Sequence, residues 1–269
     1  AELEEIFEQA KKLTITSKIS QNNLILMSIS AMVQLEIGDY RRAFEIAQNC
    51  SMEFTKQGYV GIFGPLESLF VIARCQREFL RNREADERFE QVKTLAEGWK
   101  QWHWYFVADG FLARDMAVQG LITEALDKVS CQRKKASQLA SPDSLNSIID
   151  LAELFVRYEI NDFERAMPLL NRAPSALLVQ QIKFSIDEKL GKKSVHDDAK
   201  NLPYRTPREK IWKHLADVEA VLDQEQAAMK EMKKALEIGA KVGAKETFLR
   251  QSQEMGNLIM KIAGENPTV

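Results

Sequence analysis

A short motif recurs along this chain at a spacing that favours an array of helical hairpins. It consists of a turn residue, any residue, a large apolar residue, two polar residues and alanine, and it occurs at 38–43, 120–125 and 161–166. The first two copies start 82 residues apart and the last two start 41 residues apart. The spacing indicates a period of 41 residues, with one further unit between the first two copies.

Three weaker copies occupy other parts of the chain. One turns near Arg81-Asn82-Arg83 and lacks the alanine. Another ends at Leu222-Asp223-Gln224-Glu225 and has Ala228 at the matching offset. The poorest match turns at Gly191, with His196 where alanine is expected.

A helical hairpin explains the motif physically. Glycine or asparagine ends the first helix in a left-handed conformation, and the alanine five residues later lets the second helix approach the first closely. Apolar residues recur at helical spacing along almost the whole chain. Gly and Pro number only 12 and 7 in 269 residues, too few for the many turns of a sheet protein. We therefore expect an all-α fold, a superhelical array of stacked hairpins.

This array is expected to form a single domain over 1–269. About six hairpins occupy roughly 20–241, with flanking helices at 2–14 and 245–262. Because the first residue is Ala rather than Met, we expect the chain to be a fragment of a longer protein.

The repeat resembles the tetratricopeptide repeat, with longer helices. A narrower resemblance lies in the order of segments Asn161 to Ala166, Leu202-Pro203-Tyr204-Arg205-Thr206-Pro207-Arg208-Glu209-Lys210-Ile211, Ala227-Ala228-Met229, Ala235 to Gly239, and Glu246-Thr247-Phe248-Leu249. This order is similar to the superhelical repeat domain of LuxR/MalT-like ATP-dependent transcriptional regulators. In that family the repeats lie between an ATPase and a helix-turn-helix domain. The resemblance implies a bacterial sensor domain that reaches DNA only through a domain absent from this sequence.

Neither nucleotide hydrolysis nor DNA binding is expected within these residues. The nearest match to a phosphate-binding loop, Gly191-Lys192-Lys193-Ser194, lacks the first glycine. Thr206-Pro207-Arg208-Glu209 is similar to the opening of a LuxR-type DNA-binding domain, but the recognition helix does not follow. We interpret Thr206 as a helix cap with Pro207 in the first turn. The formal charge of −2 also excludes a strongly basic nucleic-acid binder.

No pattern in the sequence indicates catalysis. The three histidines, His103, His196 and His214, are far apart and show no metal-ligand spacing. No nucleophile motif is present. We therefore expect no enzyme activity, no cofactor and no metal. A helical enzyme remains a third functional alternative, behind the two binding functions described below.

A cytoplasmic location is expected from the cysteines. The chain has three cysteines, Cys50, Cys75 and Cys131, and no two of them have the spacing of a metal-binding pair or of a CxxC motif. We interpret them as free thiols in a reducing compartment. The longest apolar run, 66–73, is far shorter than the ~20 residues that cross a bilayer, so no membrane contact is expected.

The candidate binding surface lies on the first helices of the second to fourth hairpins. Five aromatic or imidazole rings crowd 102–106, and Gly110 follows in mid-helix, where it costs about 1 kcal/mol relative to Ala and would open room in a groove. In each of these hairpins, the residues of the first helix that face the concave side of the array form a stripe. The predicted stripes contain the polar residues Gln76, His103 and Arg114, with Trp104 as a stacking surface and Phe155 on the fourth hairpin. The alternative is that these stripes simply pack against a neighbouring helix.

Two classes of function follow from this surface. The first is an effector-sensing or partner-docking domain of a LuxR/MalT-like regulator, which binds a small molecule, a peptide or a partner domain. The alternative is a stand-alone tetratricopeptide-type interaction scaffold without a link to transcription.

Overall fold

The helices predicted from apolar spacing form throughout the described part of the chain. The computed structural model describes residues 21–57, 65–139, 143–170, 172, 179, 182–183, 185–187, 205–249 and 251–265. Within these ranges there is no strand, and the all-α prediction is confirmed. The helices are α1 Gln21–Ile37, α2 Tyr40–Lys56, α3 Pro65–Glu78, α4 Asn82–Gly98, α5 Trp102–Val118, α6 Ile122–Ala136, α7 Asp143–Glu159, α8 Phe163–Leu170, α9 Pro207–Ala220, α10 Glu225–Val242, α11 Glu246–Leu249 and α12 Gln253–Glu265.

Consecutive helices pair as hairpins, as the repeat predicts. Within the described ranges these are α1–α2, α5–α6, α7–α8 and α9–α10, and the start of α4 contacts the end of α3 through the ion pair Arg77–Asp86. The expected helix at 2–14 and the unit that turns at Gly191 lie outside the described residues. We call α1, α3, α5, α7 and α9, the first helices of the hairpins, the A helices.

Two helices, α11 and α12, occupy the stretch 245–262, where the sequence predicted one. The second begins after Ser252, whose carbonyl accepts from the Gly256 N–H and whose hydroxyl accepts from the Met255 N–H at 3.3 Å. The interpretation of Thr206 as a cap is confirmed. Its hydroxyl accepts from the Glu209 N–H while the Glu209 carboxylate accepts from the Thr206 N–H, and Pro207 opens α9.

The turns repeat one hydrogen-bond pattern. In the turns at Gly38, Leu80, Gly120 and Asn161, a residue with positive φ donates its N–H to the carbonyl three residues back, while the next N–H donates five residues back. At Gly120, for example, these distances are 3.0 Å and 2.9 Å. Such a pattern satisfies carbonyls that the end of a helix leaves free. Five residues after the turn comes an alanine with no exposed surface: Ala43, Ala85, Ala125 and Ala166.

The second hairpin turns at Leu80 rather than at 81–83, and this corrects the predicted register. Leu80 has φ of 64° and the same hydrogen bonds as Gly38, Gly120 and Asn161. The unit that was thought to lack the alanine therefore has Ala85. Leucine is an unfavourable residue at positive φ, so the sequence carried no signal for a turn there. With this register, Arg74 rather than Gln76 corresponds to Arg114.

The chain divides into two compact units, and the boundary between them falls within α4. Unit 1 comprises Ala1–Arg88 and Leu202–Val269, and unit 2 comprises Phe89–Asn201. In unit 1, α9 packs on α1, α10 on α2 and α11 on α3. In unit 2, α5, α6 and α7 pack on one another around a core that includes Phe106, Val129 and Ile149. Among the described helices, none is both long and apolar enough to cross a membrane.

Candidate functional site

Two of the predicted site residues meet in unit 2, on the A helices α5 and α7. The Arg114 Nε donates to Glu159 Oε1 at 2.8 Å, and its guanidinium lies 5.8 Å from the centre of the Phe155 ring. The side chains of Arg114 and Glu159 are each 13% exposed. An ion pair held at this exposure is screened less than a surface pair. We call Arg114, Phe155 and Glu159 the α5–α7 face.

Stacked phenylalanines lie beneath this ion pair. Phe89 is parallel to Phe111 with ring centres 5.4 Å apart, and Phe111 lies 5.9 Å from Phe155. All three rings are buried. Phe155 belongs to one of the predicted stripes, and at this position the stripe packs against a neighbouring helix, the alternative that the sequence left open.

Gly110 has a packing role. A Cβ at this residue would lie 2.7 Å from the Cβ of Ala152 on α7, closer than real Cβ atoms approach. The space beside Gly110 is thus filled by α7 and is not the opening in a groove that the sequence suggested. The physical reason is that α5 and α7 pack closely at this point, which only the fold brings about.

His103 and Trp104 contact each other at the start of α5. Their rings are nearly perpendicular, at 82°, with centres 5.5 Å apart. His103 is exposed, whereas Trp104 is largely buried. Trp104 therefore offers little of the predicted stacking surface, and His103 is the accessible member of the pair.

Gln76 belongs to unit 1, whereas the other five predicted residues belong to unit 2. It is buried, and its Nε2 donates to Glu84 Oε2 at 3.2 Å. Its Oε1 has no hydrogen-bond partner within the described residues. Its assignment to the stripe depended on a turn at Asn82, which the observed turn at Leu80 replaces.

The aromatic cluster of α5 holds a lysine that the sequence did not single out. The Lys135 Nζ lies 4.0 Å from the centre of the Tyr105 ring, 5.2 Å from that of Trp102, and 2.5 Å from Glu97 Oε1. Attraction between the ammonium and the two ring faces explains why these half-buried rings remain partly outside the core. Residues from three helices form this group, so periodicity along one helix could not reveal it.

A buried polar cluster joins the two chain segments of unit 1. A terminal nitrogen of Arg208 on α9 donates to the Leu35 carbonyl at 2.8 Å, at the end of α1. A second lies 3.7 Å from Glu36, and the guanidinium lies over the Tyr40 ring. A Cβ at Gly38 would lie 2.8 Å from the Cβ of Arg208, so glycine is needed here for close approach as well as for its φ of 86°.

Glu78 is the buried acid of this region. Burial and the nearby Glu246 raise the pKa of its carboxyl, against the opposing effect of Arg74, Arg208 and a hydrogen bond from Thr247. The Thr247 hydroxyl donates to Glu78 Oε2 at 3.2 Å. This group was not found from the sequence because its members come from α3, α9 and α11.

A further group of potential ligands lies between α9 and α10. Donor atoms of His214, Asp217 and Glu231 all lie within 4.8 Å of one another, and all three residues are half-buried. The sequence predicted no metal site because none of the histidines has a close histidine or cysteine neighbour. One ligand here comes from the other helix of the hairpin.

Comparison with known proteins adds no relative. No family model, no curated protein and no solved structure matches this chain.

Proposed function

We propose that this chain is a binding module, and that a partner or effector binds on the α5–α7 face of unit 2. The observation that carries the proposal is the Arg114–Glu159 pair over Phe155. A guanidinium presents several donors in a planar fork, and a ligand carboxylate or carbonyl binds it by replacing Glu159. The apolar rings below keep water from much of the contact, which strengthens such a hydrogen bond.

The biological setting that we propose is the one implied by the family resemblance. The hairpins would form the sensor or docking domain of a bacterial LuxR/MalT-like regulator in the cytoplasm, without catalysis. The three free thiols support a reducing compartment. A ligand would regulate such a protein by binding one arrangement of the hairpins more tightly than another.

One observation favours a tetratricopeptide-type scaffold as the second candidate. Val118, Leu121 and Ile122 lie exposed together around the turn between α5 and α6. A contiguous apolar patch on a surface is typical of contacts between proteins. In that case the partner is a protein that covers this turn.

Arg114→Ala tests the proposed face. A thermal-shift screen of small carboxylates and acidic peptides would identify a ligand, and calorimetry would compare its affinity for the variant and the parent. We expect Arg114→Ala to weaken binding about ten- to a hundredfold, the effect of losing one charge-assisted hydrogen bond. Glu159→Gln should tighten binding, because the competing carboxylate is removed.

Arg165→Ala is the matched control. Arg165 is an exposed arginine of the same unit, whose ion pair is with Asp162. Its substitution should leave the affinity unchanged. Equal binding by parent and folded Arg114→Ala would contradict the assignment of the face. Binding lost on Leu121→Ser but kept in Arg114→Ala would favour the scaffold.

A further inference from the structure

His214, Asp217 and Glu231 form a compact donor set on one hairpin of unit 1. His214 and Asp217 are three residues apart on α9, so their side chains lie on the same face of that helix. Glu231 lies on α10, which packs along α9. The hairpin thus brings a ring nitrogen and two carboxylates together across a helix–helix contact.

The distances between these donors suit a small divalent ion. His214 Nδ1 lies 2.9 Å from Glu231 Oε2, and one donor atom from each of the three residues lies within 4.8 Å of the other two. Zinc bonds of about 2.0 to 2.2 Å in a tetrahedron place neighbouring donors about 3.4 Å apart. Small side-chain adjustments therefore bring all three donors onto one ion.

We infer that His214, Asp217 and Glu231 bind a divalent transition-metal ion of the Zn²⁺ type. Two carboxylates balance the charge of the ion, and the imidazole favours Zn²⁺ or Co²⁺ over Mg²⁺ or Ca²⁺. Because the three residues are only half-buried, water can reach the ion and complete its coordination. The site lies in unit 1 and is independent of the function proposed for unit 2.

Lys234 holds Glu231 in an orientation that suits this site. Its Nζ lies 2.6 Å from Glu231 Oε1, whereas His214 contacts the other oxygen, Oε2. One carboxylate oxygen is thus used for positioning and the other faces the histidine. Outer partners of this kind commonly orient metal ligands in proteins.

Titration of the full chain with Zn²⁺ and Co²⁺ tests the site. The protein carries no histidine tag, is stripped with EDTA and has Cys131→Ser, because Cys131 is an exposed thiol that could itself bind either ion. We expect one equivalent to bind by calorimetry, with visible Co²⁺ absorption and a Tm rise of about 5 °C or more at a hundredfold excess over Kd. His214→Gln, Asp217→Asn and Glu231→Gln should each weaken binding at least tenfold.

His103→Gln is the matched control, since His103 is an exposed histidine of unit 2. It should bind Zn²⁺ as the parent does. The inference is overturned if the parent binds no single saturable equivalent, or if folded His214→Gln or Asp217→Asn binds as tightly as the parent. Circular dichroism without metal establishes folding. Should Glu231→Gln unfold, the two α9 variants decide the result.

Discussion

Gly110 is a single residue in the middle of α5 whose missing side chain lets a neighbouring helix approach closely. A glycine in the middle of a helix costs stability, so it suggests a special requirement for space. The structure shows that the space is taken by the Cβ of Ala152 on α7. The requirement is therefore the close approach of two helices, and it couples residue 110 to residue 152.

Gly110→Ala is expected to destabilise the protein. Alanine gains up to about 1 kcal/mol in helix propensity, but overpacking at a contact of 2.7 Å costs about 1–3 kcal/mol. The free energy of unfolding from urea titration measures the balance, and Ala152→Gly in the same chain should reduce the loss. Gly256→Ala is the matched control, because a Cβ there meets no atom within 4 Å and should stabilise α12. A stabilising Gly110→Ala would contradict the contact.

At the element scale, the hairpin turns are set by backbone conformation and by the alanine that follows. Gly38, Gly120 and Asn161 are residue types that adopt positive φ readily. Leu80 adopts the same conformation although leucine is an unfavourable residue there, and its turn is likewise followed five residues later by a buried alanine, Ala85. Its backbone is strained by about 1–2 kcal/mol relative to glycine.

Leu80→Gly should therefore stabilise the protein, by roughly 1 kcal/mol after the greater chain entropy of glycine is subtracted. Leu80 is 42% exposed, so little burial is lost. The control is Leu121→Gly, which replaces a leucine of 43% exposure with φ of −81° and should destabilise. Thermal unfolding of both variants checks the pair. Similar losses in both would show that strain at Leu80 is not relieved by glycine.

At the scale of the whole molecule, unit 1 depends on contacts between distant parts of the chain. Arg208 and Leu35, 173 residues apart in sequence, are joined by a buried hydrogen bond. The guanidinium also lies near Glu36 and over Tyr40, so this charge is paired where it is buried. Removing such a group leaves its partners without their interactions in a dry environment.

Arg208→Ala is expected to destabilise unit 1 by about 2–4 kcal/mol, since a buried hydrogen bond, an ion pair and side-chain packing are lost together. Hydrogen exchange should show faster exchange of α1 and α9 amides. The control is Arg83→Ala, which changes a 90% exposed arginine of the same unit. It should alter neither the stability of unit 1 nor the exchange of the α1 and α9 amides. Unchanged protection of α1 in Arg208→Ala would show that the junction does not depend on this residue.

The all-α fold, the hairpin arrangement and the positions of most turns could be predicted from the sequence. These features depend on local chemistry: helical periodicity, positive φ at glycine or asparagine, and alanine at a close contact. Thr206 and Pro207 are of this kind too, because a capping box is formed by residues three apart.

The remaining features could not be predicted in this way, because they depend on which helices meet in the folded chain. The turn at Leu80 had no local signal, and it moved Gln76 out of the predicted stripe. Arg114 and Phe155 were expected on separate stripes, and packing of α5 on α7 joined them to Glu159. The Arg208 junction and the His214 donor set combine helices that no local pattern links, since long-range contacts follow from burial of whole faces rather than from spacing along the chain.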